Sequence, residues 1–315
     1  MTNPSITAIC PTYGRFSRLK DAIACFILQD YPGEKHMHIL NDAEIPLCLS
    51  IANSEEVELG NGKIVLRNAP EWFRKFGKKK QALVNGVTTD LIANWDDDDL
   101  MLPWRLSTLI SVLKANPEFE CIKPSWAWLA RGVQNDLLVH RAVKKRFDGL
   151  MVFKRGTAVD YANATRQSAV PLLEDYNARG TIYHLHDESP VFMDIDYIFR
   201  KGDDIRHLSR SGYERWALRN FAQKSKDFGK GKVLLPNDGL ETWALEQMRI
   251  QFLQIISGLK DVRYRVITDS WKSFFRRNKN KKIANKQIKK RWAAIKGESE
   301  ELSAVCERLS ATLKG

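Results

Sequence analysis

Residues Ser5–Leu40, SITAICPTYGRFSRLKDAIACFILQDYPGEKHMHIL, decide the fold class. Ser5–Cys10 is a short β-prone run stopped by Pro11, and Pro11–Arg15 reads as a loop. Beyond it Leu19, Ala22, Ile23, Phe26 and Ile27 recur at helical spacing, with Ser17 as the expected N-cap and Tyr31-Pro32-Gly33 as the stop. His36–Leu40 is a second apolar strand, closed by Asn41-Asp42. Strand, helix and strand in such close succession predict a βαβ unit, and with it a mainly parallel α/β sheet.

Outward from that unit the alternation continues. Lys63–Arg67 reads as a third strand and Lys79–Val87 as a helix. Leu91–Trp95 is an apolar strand running straight into Asp96, Asp97, Asp98 and Asp99. Pro103 stands where the next helix begins, Leu106, Leu109, Ile110 and Leu113 form its apolar stripe, and Asn116-Pro117 end it. Ile122–Leu129 and Leu150–Phe153 are further strand candidates, whereas Thr165–Tyr197 shows no clear period. From Glu214 the pattern is helical: Leu240–Ile256 is long and amphipathic, and Leu302, Val305, Leu309 and Leu313 keep helical spacing at the C-terminus. There is no repeat and no low-complexity linker. The best boundary, near Gly229–Gly231, predicts one unit over 1–228 and a helical, basic one over 229–315.

Composition excludes several classes. A chain of 315 residues with 43% hydrophobic residues can bury a substantial core and is not disordered as a whole. No run reaches the roughly 18–20 apolar residues needed to cross a bilayer. The N-terminal MTNPSITAICPTYGR has no signal-peptide pattern, and Cys10, Cys25, Cys48, Cys121 and Cys306 are scattered without a CxxC, so a cytoplasmic protein with reduced thiols is expected. The formal charge is +12. Eleven basic residues and no acidic one fall between Ser270 and Gly297, which leaves about +1 for everything else.

Four consecutive aspartates after an apolar strand are costly, because crowded like charges raise one another's pKa. A cation reverses that penalty. Hard divalent ions such as Mg²⁺ or Mn²⁺ take carboxylate oxygens and share sites with substrate phosphates, and open α/β sheets bind ligands at the carboxyl ends of their strands. These residues carry a resemblance. ITAICPTYGRFSRLKDAIACFILQDYPG resembles the opening strand, PTYxR-type loop, first helix and QxYP turn of family 2-type glycosyltransferases with the GT-A fold. HILNDAE stands where that family ends its second strand in an acidic pair, with Asn41 in the first position. KKKQALVNGVTTDLIANWDDDDLMLPWRLSTL resembles the DxD metal motif of a subgroup with a tryptophan and four aspartates.

The resemblance, which spans residues 5–113, implies a Rossmann-like nucleotide-sugar-binding domain. Pro11, Thr12, Tyr13 and Arg15 would line the nucleotide pocket, with Asp42 near the base and Lys80 in the lysine position before the DxD. Asp96 and Asp98 would form the DxD: Asp98 on the metal, Asp96 on the ribose or a metal-bound water, and Asp97 between them in the cofactor pocket. In the second half, GLMVFKR at Gly149–Arg155 resembles the strand that opens the acceptor side. LLED at Leu172–Asp175 occupies the place of the xED motif, which makes Asp175, with Glu174, the expected base, and leaves Asp160, Asp187, Glu188 and Asp194 as rivals. RKGDDIRHLSRSG resembles a closing segment in which His207 supplies a further metal ligand, while His184 and His186 read as structural or acceptor-facing. The implied activity is transfer, with inversion, of a sugar from a nucleotide sugar to a hydroxyl. UDP is the usual carrier, and GDP and dTDP stay open.

The basic stretch is the clue to the acceptor. Arg276, Arg277, Lys282, Lys289, Lys290 and Arg291 are interleaved with Trp271, Phe274, Phe275 and Trp292, a mixture that suits a polyanion. Double-stranded DNA is the favoured partner: cations would neutralise phosphates and aromatics would flank an extruded base, here a hydroxymethylated pyrimidine. The alternative is an anionic membrane surface and a lipid-linked saccharide or lipopolysaccharide acceptor. A reading from another class is a nucleic-acid-binding protein on a degenerate transferase fold. No obligate protein partner is evident.

Overall fold

The first apolar run forms β1 (Ile6–Thr12), buried along its whole length, and it is the centre of the molecule. The computed structural model describes residues 2–50, 55–73, 75–133, 136–143, 149–157, 161, 170–186, 191–193, 232–249, 300–301 and 303–313. After β1 come α1 (Phe16–Ile27), β2 (Lys35–Asn41), β3 (Leu47–Cys48), β4 (Glu56–Leu59), β5 (Gly62–Asn68), α2 (Phe76–Val84), β6 (Leu91–Asn94), β7 (Leu100–Met101) and α3 (Arg105–Ala115). The rest are β8 (Cys121–Pro124), β9 (Trp126–Val133), β10 (Asp136–Val143), β11 (Val152–Lys154), α4 (Val170–Arg179), β12 (Ile182–Leu185), β13 (Val191–Met193) and β14 (Lys232–Val233).

Eight strands form the main sheet in the order β12-β8-β11-β6-β1-β2-β5-β4. All but β11 and β4 run the same way, so the expected mainly parallel α/β sheet is what the chain builds. Because side chains alternate along a strand, β1 feeds two cores. Ile6, Ala8 and Cys10 face the layer of α1 and α3, and Ile9 faces the layer of α2, with Tyr176 of α4 on the same side. A second sheet, β10-β9-β13-β7, begins where the chain leaves the first: β8 belongs to one and β9 to the other, with Ser125 between them. The single strand expected over Ile122–Leu129 is therefore broken in two. Periodicity continues across such a break because both halves are buried.

Two sequence features acquire reasons. The QDYP turn locks α1 to α3: Gln29 Nε2 donates to the carbonyls of Cys25 and Leu102, each at 2.9 Å, and its Oε1 accepts from Leu106 N–H at 3.0 Å. The helix start differs from expectation. Ser17 is not the N-cap; α1 begins at Phe16, with Arg15 in the cap position and no side-chain cap bond, because the Arg15 side chain is drawn toward the aspartates.

The strand expected over Lys63–Arg67 is β5, but its hairpin partner β4 went unpredicted, since EVEL alternates between exposed and half-buried positions and carries little apolar signal. Its Gly62 has φ +153, and a Cβ there would fall 1.8 Å from the carbonyl oxygen of Lys35. Gly62→Ala is expected to cost about 2 kcal/mol, because β5 must move off β2. A melting temperature equal to the wild type's would show that the strands give way freely.

The described C-terminal pieces belong to the same core. Ala244 and Met248 of the helix over 240–249, and Leu309 and Leu313 near the chain's end, are buried with Ile6, Phe26 and Trp95. Gln247 Nε2 donates to Asp21 Oδ1 at 2.6 Å, and Arg308 stacks its guanidinium 3.9 Å from the Trp104 ring centre. The boundary expected near Gly229–Gly231 and the basic stretch lie outside the described residues, as do Arg276, Arg277, Lys282, Lys289, Lys290, Arg291 and Trp292. Among the described residues no helix is long and apolar enough to cross a membrane.

Candidate active site

Following β1, the chain goes to β2 on one side, while β6 lies on the other. The carboxyl ends of β1 and β6 therefore flank a topological switch point, where open α/β sheets hold their ligands. The PTYGR loop and the four aspartates meet there.

Trp95 fixes the approach. Its indole is fully buried, donates to the Ala22 carbonyl at 3.1 Å and packs edge-on against Phe26 at 5.7 Å. From this anchor the side chains alternate: Asp97 and Asp99 are buried, Asp96 and Asp98 half-buried. Asp97, 0% exposed, is clamped. Thr12 Oγ1 donates to its Oδ2 at 2.6 Å, Arg15 Nε donates to the same oxygen at 3.0 Å, and a second guanidinium nitrogen reaches Oδ1. Arg15 Nη1 also donates to Asp98 Oδ2 at 2.7 Å, and Arg18 stands 3.8 Å from that oxygen. Burial works against the Arg15 charge, but Asp97 and Asp98 outweigh it and hold the guanidinium above its ordinary pKa. Burial raises the Asp97 pKa, and the two-point contact with Arg15 opposes that rise. Beneath the loop lies Arg105, wholly buried and 4.8 Å from the Trp95 ring centre. Burial pulls its pKa down to about 10, with Asp96 and Asp99 holding it up, so it is a fixed cation at neutral pH.

Asp42, 5% exposed and just past the end of β2, forms a second clamp. Its Oδ1 pairs with Lys79 Nζ and its Oδ2 accepts from Phe73 N–H at 3.0 Å. Lys79 also donates to the Thr12 carbonyl, tying the second clamp to the first, and burial lowers its pKa against the pull of Asp42. Lys79 thus joins this network, and its neighbour Lys80 is buried as well. Lys80 lies 5.1 Å from the Phe76 ring centre and 5.9 Å from that of Tyr161. Asn41, the departure from the acidic pair, also has a reason. Its Oδ1 accepts from Gly14 N–H at 3.1 Å and its Nδ2 donates to Ile45 O and Asn68 Oδ1, both at 2.9 Å. A carboxylate could accept the first bond but donate neither of the others. Gly14, at φ +67, gives the loop its left-handed turn. Pro11 and Thr12 complete β1 and Tyr13 is half-buried beside that turn.

The expected base is placed elsewhere. Asp175 lies on α4 with its carboxylate held by Arg179, Nε–Oδ2 3.0 Å and Nη2–Oδ2 2.9 Å. Arg179 also pairs with Glu120, just before β8. Since β8 runs parallel to β6 through the intervening β11, that pairing lies at the opposite edge of the sheet from the aspartates. The structure thus does not bring Asp175 to Asp96 and Asp98, and the reason is an i,i+4 ion pair that competes for it. The Glu174 side chain, His207, Asp160, Asp187, Glu188 and Asp194 lie outside what is described. His184, 3.2 Å from Asn177 Oδ1, and His186 end β12 at the same edge as the aspartates, on the side of β8 and β11. Burial lowers the His184 pKa.

Among the described residues no group of three or more His, Cys, Asp and Glu side chains converges on an ion site. Asp96 and Asp98 are two half-buried carboxylates just past the carboxyl end of β6. That set suits a hard divalent ion that keeps water and phosphate for the rest of its shell, the usual habit of Mg²⁺. A cavity of about 460 Å³ lies at the other end, lined among others by Pro4, Asp90, Leu91 and Lys154, and has no part in this site.

No protein-family model matches the chain, and no curated protein matches its sequence. Among solved structures it is similar to S. aureus TarS 1-349 at 11% identity, over 60% of this chain and 60% of that one, with a TM-score of 0.44. The structure of TarS 1-349 in complex with UDP-GlcNAc matches over 80% of this chain and 66% of that one, at 11% identity and a TM-score of 0.46. The mannosyltransferase PcManGT from Pyrobaculum calidifontis, in complex with GDP-Man and Mn²⁺, matches over 99% and 86% at 13% identity, with a TM-score of 0.43. Overlaps of this size carry no argument about activity, which has to come from the site's own residues.

Proposed function

We propose that this chain is a divalent-cation-dependent glycosyltransferase that moves a sugar from a nucleoside diphosphate to a hydroxyl acceptor. The observation that supports the reading is the alternation at the switch point, which buries Asp97 against Arg15 and leaves Asp96 and Asp98 half-buried at the carboxyl end of β6. Asp98, with Asp96, would hold Mn²⁺ or Mg²⁺, and His207 is the further ligand the resemblance implies. When bound, such an ion neutralises charge developing on a departing diphosphate. The protein's own share is positional. Arg15 and Arg18 set positive charge on the first turn of α1, whose amino end favours anions. Arg105 offsets the aspartates from below, so the cluster persists without collapsing the fold.

UDP is the proposed carrier, and inversion follows from the resemblance. With α4, and so both Asp175 and Glu174, directed to the far edge, the proton-accepting carboxylate falls to the rivals Asp160, Asp187, Glu188 or Asp194. The proposed acceptor is a hydroxymethylated pyrimidine in DNA, on the strength of eleven cations between Ser270 and Gly297.

Nucleoside diphosphate at 100 times its Kd should stabilise the protein by about 2.7 kcal/mol in the presence of Mn²⁺. A thermal scan without any Mn²⁺-dependent shift would sink the enzyme reading, and DNA binding in its place would support the degenerate-fold alternative. Neutralising Arg276, Arg277, Lys289, Lys290 and Arg291 together should abolish salt-sensitive DNA binding while leaving donor hydrolysis intact. Capture by anionic vesicles but not by duplex DNA would move the acceptor to a membrane.

A further inference from the structure

Trp72 is the one large apolar side chain exposed among the described residues, at 59%. The backbone that carries it is nonetheless fixed on both sides. Ala69 N–H donates to the Asn41 carbonyl at 2.7 Å, and Phe73 N–H donates to Asp42 Oδ2 at 3.0 Å. Ala69 and Phe73 themselves pack on the core between α2 and the sheet. An indole held out by a pinned backbone is available for a contact that none of the described residues makes with it.

Its place in the sheet order says which contact. The strands run β6-β1-β2-β5 from the aspartates toward Trp72, and the acceptor-side strands β11, β8 and β12 lie beyond β6 in the other direction. The loop is anchored at the end of β2 and springs from β5, two to three strand spacings from β6, or about 10–14 Å. A nucleoside diphosphate whose phosphates sit over Asp96 and Asp98 spans a gap of that order with its ribose and reaches the loop with its base. Asp42 contributes indirectly: both its oxygens are engaged within the protein, one by Lys79 and one by the backbone next to Trp72.

We propose that Trp72 is the platform on which the nucleobase of the donor stacks. This rests on the nucleotide-sugar reading of the aspartate site and extends it. Every base has a π-face, so the platform discriminates nucleotide from bare phosphate more than one base from another.

The test is calorimetry on the full chain in Mn²⁺, with UDP, GDP and inorganic pyrophosphate as probes. Trp72→Ala should weaken UDP and GDP about tenfold, and Trp72→Phe should stay within about threefold of wild type because it keeps an aromatic face. Pyrophosphate should bind all three proteins alike. Unchanged UDP and GDP affinity in Trp72→Ala overturns the proposal. So does a parallel loss of pyrophosphate, which would mean that the base is not what Trp72 touches. A wild-type chain that binds neither nucleotide overturns the nucleotide-sugar reading and this platform with it. A wild-type chain that binds both, beside an unaffected Trp72→Ala, removes the platform alone.

Discussion

Arg15→Met is expected to cost about 3–5 kcal/mol of stability, because it leaves Asp97 as an uncompensated charge in a fully buried position. For a chain of this length that is a fall in Tm on the order of 10 °C. The pH dependence has a definite sign. Once Arg15 is gone, burial and Asp98 both push the Asp97 carboxyl up, so the folded variant takes up a proton that the unfolded chain still releases. Its deficit relative to wild type must then shrink as pH falls below neutrality. A second change, Asp97→Asn, should restore at least half of the lost stability, since the amide oxygen can still accept from Thr12. A deficit that neither acid nor the second change relieves would show that Arg15 stabilises by packing and not by charge.

Asp98→Asn is expected to do the opposite: little to the fold and much to turnover. The carboxylate is half-buried and its partners Arg15 and Arg18 keep other surroundings, so the cost should be about 1 kcal/mol. Mn²⁺-dependent sugar release should drop by about 10³-fold, the scale on which losing one well-placed electrostatic contact acts. Mn²⁺ affinity measured directly should fall with it. Wild-type rates in a folded Asp98→Asn protein would refute the metal assignment. The contrast between Asp97 and Asp98, neighbours in sequence, is the sharpest test of the alternation described above.

Much of this was legible in the chain. β1, α1, β2 and β6 declare themselves by period, and the aspartates by the oddity of their repetition. What could not be read was partnership. Ser17 looked like a cap because Ser is a good one, but Arg15 takes that place when Asp97 draws its side chain inward. Lys79 and Lys80 differ only in which way they turn from one helix. Asp175 matched a motif by position, and only its neighbour a turn later shows where its carboxylate goes. Trp72 sat in a loop without period, and its exposure is a property of the fold and not of the residue type. Asn41 was the converse case, a mismatch to the expected pattern that the surrounding acceptors require.

The seating of Leu309 and Leu313 in the core of β1 and α1 changes how this protein can be handled. The basic stretch invites a truncation, cutting the chain before Ser270 to obtain a bare catalytic body. Such a cut would also remove two buried leucines and the Arg308 guanidinium from the face of Trp104, baring apolar surface on the layer that supports the aspartate loop. The shortened protein would aggregate or melt early, and its inactivity would be misread as loss of an acceptor-binding tail. Charge, not length, is the variable to change.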